Sequence, residues 1–174
     1  MIKYLHEVLV EMKTEHPFNP IYDENSKMLI LGSFPSVKSR EANFYYAHPQ
    51  NRFWRIMARV CKQKPPVTVG QKRRFLLENN IALWDVIKSC DIEGSSDASI
   101  CNVEVNDICD ILKKTKIDAI YLNGKTTYKY FSKYVKNKIN KEIKITVLPS
   151  TSSANATFTF DRLLYNWKKN IVIN

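Results

Sequence analysis

Two short stretches of this chain carry most of the residues capable of chemistry. The first runs Leu29-Ile30-Leu31-Gly32-Ser33-Phe34-Pro35-Ser36 and resumes at Tyr45-Tyr46-Ala47-His48-Pro49-Gln50-Asn51-Arg52-Phe53-Trp54. An apolar run stops at a Gly-x-x-Pro turn, and a polar, aromatic-rich loop then leads into an amphipathic helix. Ligands of open α/β sheets bind where strands end in this way, so the segment reads as the rim of a site. The second stretch is Leu148-Pro149-Ser150-Thr151-Ser152-Ser153-Ala154-Asn155. Its run of hydroxyls, with backbone amides ahead of a C-terminal helix, suits a phosphate group. The same residue types are also ordinary helix caps, and Thr157 or Thr159 is placed for that role.

The elements that must position these stretches follow from periodicity. Short apolar runs at about 28–32, 81–86, 117–122 and 143–148 are predicted strands. Helices are predicted over 51–62, where Phe53, Ile56, Met57 and Val60 share a face, and over about 70–80 and 125–138. Asn106 is the expected N-cap of a helix reaching about 116, and Phe160, Leu163, Leu164 and Trp167 form the apolar face of a C-terminal helix. Ile2, Leu5, Val8, Leu9 and Met12 predict an N-terminal helix over about 2–15, closed by His16-Pro17-Phe18-Asn19-Pro20. The interval 90–106 has little periodicity and reads as a long surface loop. Strands alternating with helices predict a three-layer α/β/α sandwich around a four-stranded parallel sheet, one domain over 1–174. Parallel strands end on one edge, so the loops after Leu31 and Leu148 should be neighbours.

Composition narrows the partners. The 174 residues carry 27 Lys and Arg against 17 Asp and Glu, a net charge of +10 that favours polyanions such as nucleic acid. Cys61, Cys90, Cys101 and Cys109 form no Cys-x-x-Cys pair, so no metal is expected and the cysteines read as reduced thiols of a cytoplasmic protein. No apolar stretch is long enough to span a membrane, so no membrane partner is expected. Asn123-Gly124-Lys125-Thr126 mimics the end of a P-loop, but its first glycine would fall at Ala119, inside a strand. No cofactor is expected.

Gly32-Ser33-Phe34-Pro35-Ser36, then Tyr46-Ala47-His48-Pro49-x-Asn51-Arg52-Phe53-Trp54, then Leu148-Pro149-Ser150-Thr151-Ser152, resembles the uracil-DNA glycosylase superfamily, with greatest similarity to its hypoxanthine-DNA glycosylase branch. Leu83-Trp84-Asp85 and Gly94-Ser95-Ser96-Asp97 also look like that branch. The resemblance covers the chain from about residue 16 onward. It implies a monomeric enzyme that flips a deaminated base, most similar to a hypoxanthine-excising one, out of double- or single-stranded DNA and hydrolyses its N-glycosidic bond.

On that resemblance, Gly32 to Ser36 contact the base. The Ser33 and Phe34 N–H groups donate to its carbonyl oxygen, and Tyr46 stacks on the ring unless it merely plugs the sheet end. Many relatives carry Asn or Asp where Phe34 stands, and a phenyl ring orients no water. Asn51 becomes the implied catalytic residue, holding water rather than taking its proton, or else a helix cap; His48 is the second candidate, or a structural partner. Asp85 is placed to orient Asn51 or His48, or is a turn carboxylate, and Asp97 has no role the sequence discloses. Ser150, Thr151, Ser152, Ser153, Asn155, Arg52 and Lys38 are implied DNA contacts, with Arg40, Lys72, Arg73 and Arg74 as further basic candidates. Lys125, Lys129, Lys133 and Lys136 read as a solvated helix face. Two other readings stay open: a damage-binding module of the same fold without catalysis, and a hydrolase using one of Ser150 to Ser153.

Overall fold

The computed structural model describes residues 13–173. Strands in chain order are β1 (Thr14–Glu15), β2 (Met28–Gly32), β3 (Ile81–Asp85), β4 (Ile87–Asp91), β5 (Cys101–Val105), β6 (Ala119–Asn123) and β7 (Lys144–Leu148). The helices are α1 (Val37–Ala42), α2 (Phe53–Val60), α3 (Val69–Glu78), α4 (Ile108–Lys114), α5 (Lys125–Tyr134) and α6 (Phe160–Asn170). β2 lies inside a four-stranded parallel sheet of order β3-β2-β6-β7. All five of its residues are buried, which is why it reads as a continuous apolar run. Met28 and Ile30 face a core shared with α2, α3 and α6, whereas Leu29 and Leu31 face one shared with α4 and α5. Helices on both faces complete the predicted sandwich.

The strand order fixes where a ligand belongs. The chain leaves β2 for β3 on one side, then returns across to β6 on the other, so the carboxyl end of β2 is the topological switch point. A crevice opens there because successive connections run to opposite sides of the strand.

Several boundaries differ from expectation. The interval 90–106 is not a simple surface loop: most of β4 and β5 pair antiparallel around a 3-10 turn at Asp97–Ser99, and β1 joins β4 from the other side. β5 is largely exposed and carries little apolar periodicity, so pairing with β4 rather than burial holds it. Asp107, not Asn106, caps α4 by accepting from Asp110 N–H, and Asn106 instead donates to the carbonyls of Asp85 and Ile87. α1 was not expected; Ser36 caps it by accepting from Ser39 N–H. The predicted 125–138 helix ends at Tyr134, and a separate 3-10 turn covers Lys136–Lys138. The N-terminal helix expected over about 2–15 lies outside the described residues except at its end, where β1 is extended.

Candidate active site

At the switch point lies a cavity of about 800 Å³, a volume suited to a nucleotide-sized ligand. Its wall takes the turn after β2 (Gly32 to Ser36), Tyr46 and Asn51 from the following loop, Asp85 from β3, Asn123 to Thr126 from the β6–α5 turn, and Ser150 to Ser152 and Asn155 after β7. The two stretches singled out in the sequence therefore meet, as parallel strand ends require.

A continuous hydrogen-bond chain ties them. Asn123 Nδ2 donates to Tyr46 Oη (3.1 Å) and to Thr151 Oγ1 (3.0 Å), while Asn123 Oδ1 accepts from Thr151 N–H (3.0 Å). Thr151 Oγ1 then donates to Asn51 Oδ1 (3.0 Å), which also accepts from Phe53 N–H (2.9 Å). A backbone N–H can only donate, so it identifies the Asn51 oxygen and leaves Nδ2 without a partner among the described residues. Asn51 thus braces the start of α2 with its side-chain oxygen and also stands on the cavity wall. Thr151 is completely buried and Asn123 nearly so, which makes this network costly to leave half-satisfied.

Tyr46 stacks on Phe53 with ring centroids 4.1 Å apart and 24° between planes. Its backbone is left-handed, at φ 51°, which turns the ring back toward the sheet edge. Burial, then the nearby Asp85 carboxylate, push its phenol well above the ordinary tyrosine range, so it serves as a neutral hydroxyl. The Phe34 ring packs into the second core, near His16 and under the Arg40 guanidinium.

Asp85 orients neither Asn51 nor His48. Its Oδ2 pairs with His16 Nε2 at 2.8 Å, both side chains almost wholly enclosed at 6% and 3% exposure. β1 delivers His16 to this position: Glu15 pairs with Ser89, and His16 N–H donates to Lys88 O (2.8 Å). His48 stands away from the cavity lining, and its Nδ1 accepts from Gln50 N–H (3.1 Å), a local turn contact. Asp97 lines the cavity beside Ser96. Although the residue is exposed, desolvation of its carboxyl and the charge of Asp85 raise its pKa above the usual carboxylate range.

The phosphate reading of the second stretch needs correction. α6 begins only at Phe160, capped by Thr159, so the hydroxyl run does not sit at a helix N-terminus. Most of its amides are used internally: Ser152 N–H donates to Ser150 Oγ, Ala154 N–H to Ser152 Oγ and Asn155 N–H to Ser152 O. Ser153 is exposed and outside the cavity wall. Among the described residues no histidine lines that wall, so within them the serine hydrolase reading lacks its base.

Arg52 is likewise not a free phosphate ligand. Its guanidinium donates to the carbonyls of Thr151 (3.2 Å), Ser152 (2.6 Å), Asn155 (3.2 Å) and Phe158, and its backbone N–H donates to Thr151 O (3.1 Å). One planar fork therefore holds the 151–158 loop against the start of α2. Arg52→Lys is expected to cost on the order of 2–3 kcal/mol in urea denaturation, because an ammonium cannot reach carbonyls spread around a fork. Arg40 similarly donates to Pro35 O and Gly94 O, and Lys72 and Arg73 lie over the Trp54 and Phe44 rings. Lys38 is exposed and paired with Glu41.

Sequence reasoning missed Asn123 and Lys125. Asn123-Gly124-Lys125-Thr126, rejected as a nucleotide loop, lines the cavity in another capacity, and Lys125 brings a cation to its edge rather than to a remote helix face. The available signal was its position at the end of a parallel strand. Gly124, at φ 99°, lies so close to the 150 loop that a Cβ there would stand 3.0 Å from Ser150 Cβ.

Residues 20–170 match the model of the uracil DNA glycosylase superfamily. The chain belongs to that superfamily. It is 35% identical over 147 residues to a hypoxanthine DNA glycosylase of Methanosarcina acetivorans, covering 83% of this chain and 90% of that protein. A second relative, a hypoxanthine DNA glycosylase of Methanosarcina barkeri, is 35% identical over 141 residues, covering 79% and 86%. A solution NMR structure of a uracil DNA glycosylase candidate from Methanosarcina acetivorans superimposes with a TM-score of 0.77 at 32% identity, covering 91% of this chain and 96% of that one. In this chain the turn after β2 presents backbone and the buried Phe34 ring, and Asn51, Asp85 and Asn123 are among the polar side chains that reach the cavity from other elements.

Proposed function

We propose that this chain is a monofunctional DNA glycosylase that hydrolyses the N-glycosidic bond of hypoxanthine in DNA and leaves an abasic site. The observation that carries this reading is the convergence, around one nucleotide-sized cavity, of the β2 turn, the Tyr46–Asn51 loop and the Thr151 loop. The likeness to relatives described as hypoxanthine DNA glycosylases supports the choice of base. Only an extruded nucleotide exposes its glycosidic bond, so the base enters the cavity after flipping.

As the N9–C1′ bond breaks, its electron pair stays with the purine, and charge grows on the ring nitrogens and the carbonyl oxygen. In this reading the N–H groups of Ser33 and Phe34, both on the cavity wall, donate to that oxygen, while Asn51 Nδ2 donates to a ring nitrogen or steadies the attacking water. Water adds to the cationic C1′ and releases a proton, and the departing base takes one up. The residues committed to holding the walls, Arg52 and Asn123, keep these donors in place before the substrate arrives.

The test uses excess protein and duplex or single-stranded DNA bearing one deoxyinosine or one deoxyuridine, followed by alkali to cut abasic sites. Alkali-dependent cleavage at deoxyinosine, without borohydride trapping of protein on DNA, is expected. Absence of abasic product on every deaminated base defeats the reading, and a trapped adduct would assign Lys125 an amine chemistry instead.

A further inference from the structure

Asp97 is a second carboxyl on the cavity wall, and it arrives there, beside Ser96, on the 3-10 turn between β4 and β5. The turn is braced on two sides. Ser95 Oγ accepts from Val37 N–H (2.9 Å) and Gly94 O from the Arg40 guanidinium (3.1 Å), which fixes it against α1. From α5, Tyr130 Oη donates to Ile100 O (3.2 Å). Inside the turn, Ser99 Oγ donates to Ser96 O (2.7 Å) and Ile100 N–H to Asp97 O (3.3 Å). Among the described residues no cation pairs with the Asp97 carboxyl. Other residues thus hold the backbone, and the carboxyl is left to the cavity.

A purine leaves as an anion unless a ring nitrogen is protonated while the C1′–N9 bond breaks, so a positioned acid lowers the barrier. The Ser33 and Phe34 amides take O6, and the Asp97 turn packs on the same corner, through Val37 next to Ser36. Of the ring nitrogens nearest O6, N1 already carries hydrogen and N7 offers a lone pair. We propose that the Asp97 carboxyl is the general acid that protonates N7 of the departing hypoxanthine. The proposal rests on the glycosylase reading and names the source of the proton that the base takes up. The carboxyl proton passes to N7, the electron pair of the C1′–N9 bond goes to the ring, and the base leaves as its neutral N7–H tautomer. Water adds to C1′ and gives its proton to solvent, and solvent returns one to the carboxylate. Desolvation of the carboxyl and the Asp85 charge raise its pKa against the lowering effect of the Thr126 hydroxyl, which keeps more of the acid form. The ionisable groups around it are Asp85 of β3 and Tyr130 of α5, with Lys125 at the cavity edge and Arg40 bound to the turn itself.

Single-turnover release is measured on duplexes carrying deoxyinosine or 7-deaza-deoxyinosine, and affinity on a 2′-fluoro-deoxyinosine duplex, whose fluorine slows cleavage. Asp97→Asn should lower the deoxyinosine rate about 10²-fold, the scale of a lost general acid, while affinity stays within about twofold of wild type. The wild-type rate should fall as pH rises past the pKa of the carboxyl, because only the acid form donates, and Asp97→Asn should lose that limb. A variant as fast as wild type, an affinity loss equal to the rate loss, or an unchanged pH profile overturns the assignment.

Should Asp97→Asn fail to fold by circular dichroism, wild type alone decides through 7-deaza-deoxyinosine, which has carbon in place of N7 and accepts no proton there. Wild type should release that base at least about 10²-fold more slowly than hypoxanthine, and equal rates overturn the proposal. Wild type that releases no hypoxanthine from deoxyinosine defeats the glycosylase reading itself. Wild type that releases it, with Asp97→Asn equally fast, defeats only the general acid.

Discussion

Asn51→Ala is expected to lower the single-turnover rate of hypoxanthine release by about 10²–10³-fold, the usual consequence of removing one preorganised donor from a site where charge develops. Two effects are superimposed in that variant. The Asn51 oxygen receives Phe53 N–H and Thr151 Oγ1, so alanine also removes a brace at the start of α2 and costs about 1 kcal/mol of stability. Asn51→Asp separates them, because a carboxylate keeps both acceptor roles and lacks the NH2. Urea denaturation should then return close to wild type while the rate stays low. An Asn51→Asp enzyme as fast as wild type would place the working chemistry on the oxygen, with water rather than the base as its partner.

Gly32→Ala is expected to reduce the rate about 10²-fold and to cost about 1–3 kcal/mol of stability. The cause is contact rather than backbone freedom. The added methyl would stand 2.3 Å from Asp85 Oδ1 and 3.0 Å from Tyr46 Oη, so the carboxylate or the strand end must move. Either movement shifts the Ser33 and Phe34 backbone that lines the cavity beside Asp85. Gly70→Ala is the matched control: its Cβ meets only Thr68 Oγ1, at 4.0 Å, and it lies in helix α3, where alanine should be neutral or stabilising by up to about 1 kcal/mol. A Gly32→Ala enzyme with wild-type single-turnover kinetics would show that the crowding at Asp85 has no bearing on catalysis.

The legible and illegible parts of the site divide by the range of the interactions involved. Leu29 to Gly32 announced a buried strand because both faces of a parallel strand are covered, and the Gly-x-x-Pro turn announced its end. Asn51 was identifiable from the loop it occupies, although not which end of its amide is free. The partners of Arg52 and Asp85 were hidden for the same reason. A guanidinium is drawn equally to phosphate and to carbonyls, and here the carbonyls belong to a loop about a hundred positions along the chain. Asp85 finds its partner in His16, 69 residues earlier, only because β1 pairs with β4. That small antiparallel sheet was itself hidden, since β5 lies largely exposed and its short alternation gives a weak signal.

The sequence by itself determined the parallel α/β sandwich, the strand ends at which a cavity opens, and the two stretches whose Gly32, Tyr46, Asn51 and Thr151 line that cavity. Those follow from local periodicity and turn chemistry, which depend on neighbours a few residues apart. Only the tertiary structure decided that Arg52 braces a loop, that His48 stands aside, that Asn123 links Tyr46 to Thr151, and that His16 backs Asp85. The physical reason is that a polar side chain has several chemically equivalent partners available. Packing of the two sheets and the crossover to β6 choose among them by distance, a quantity no stretch of sequence contains.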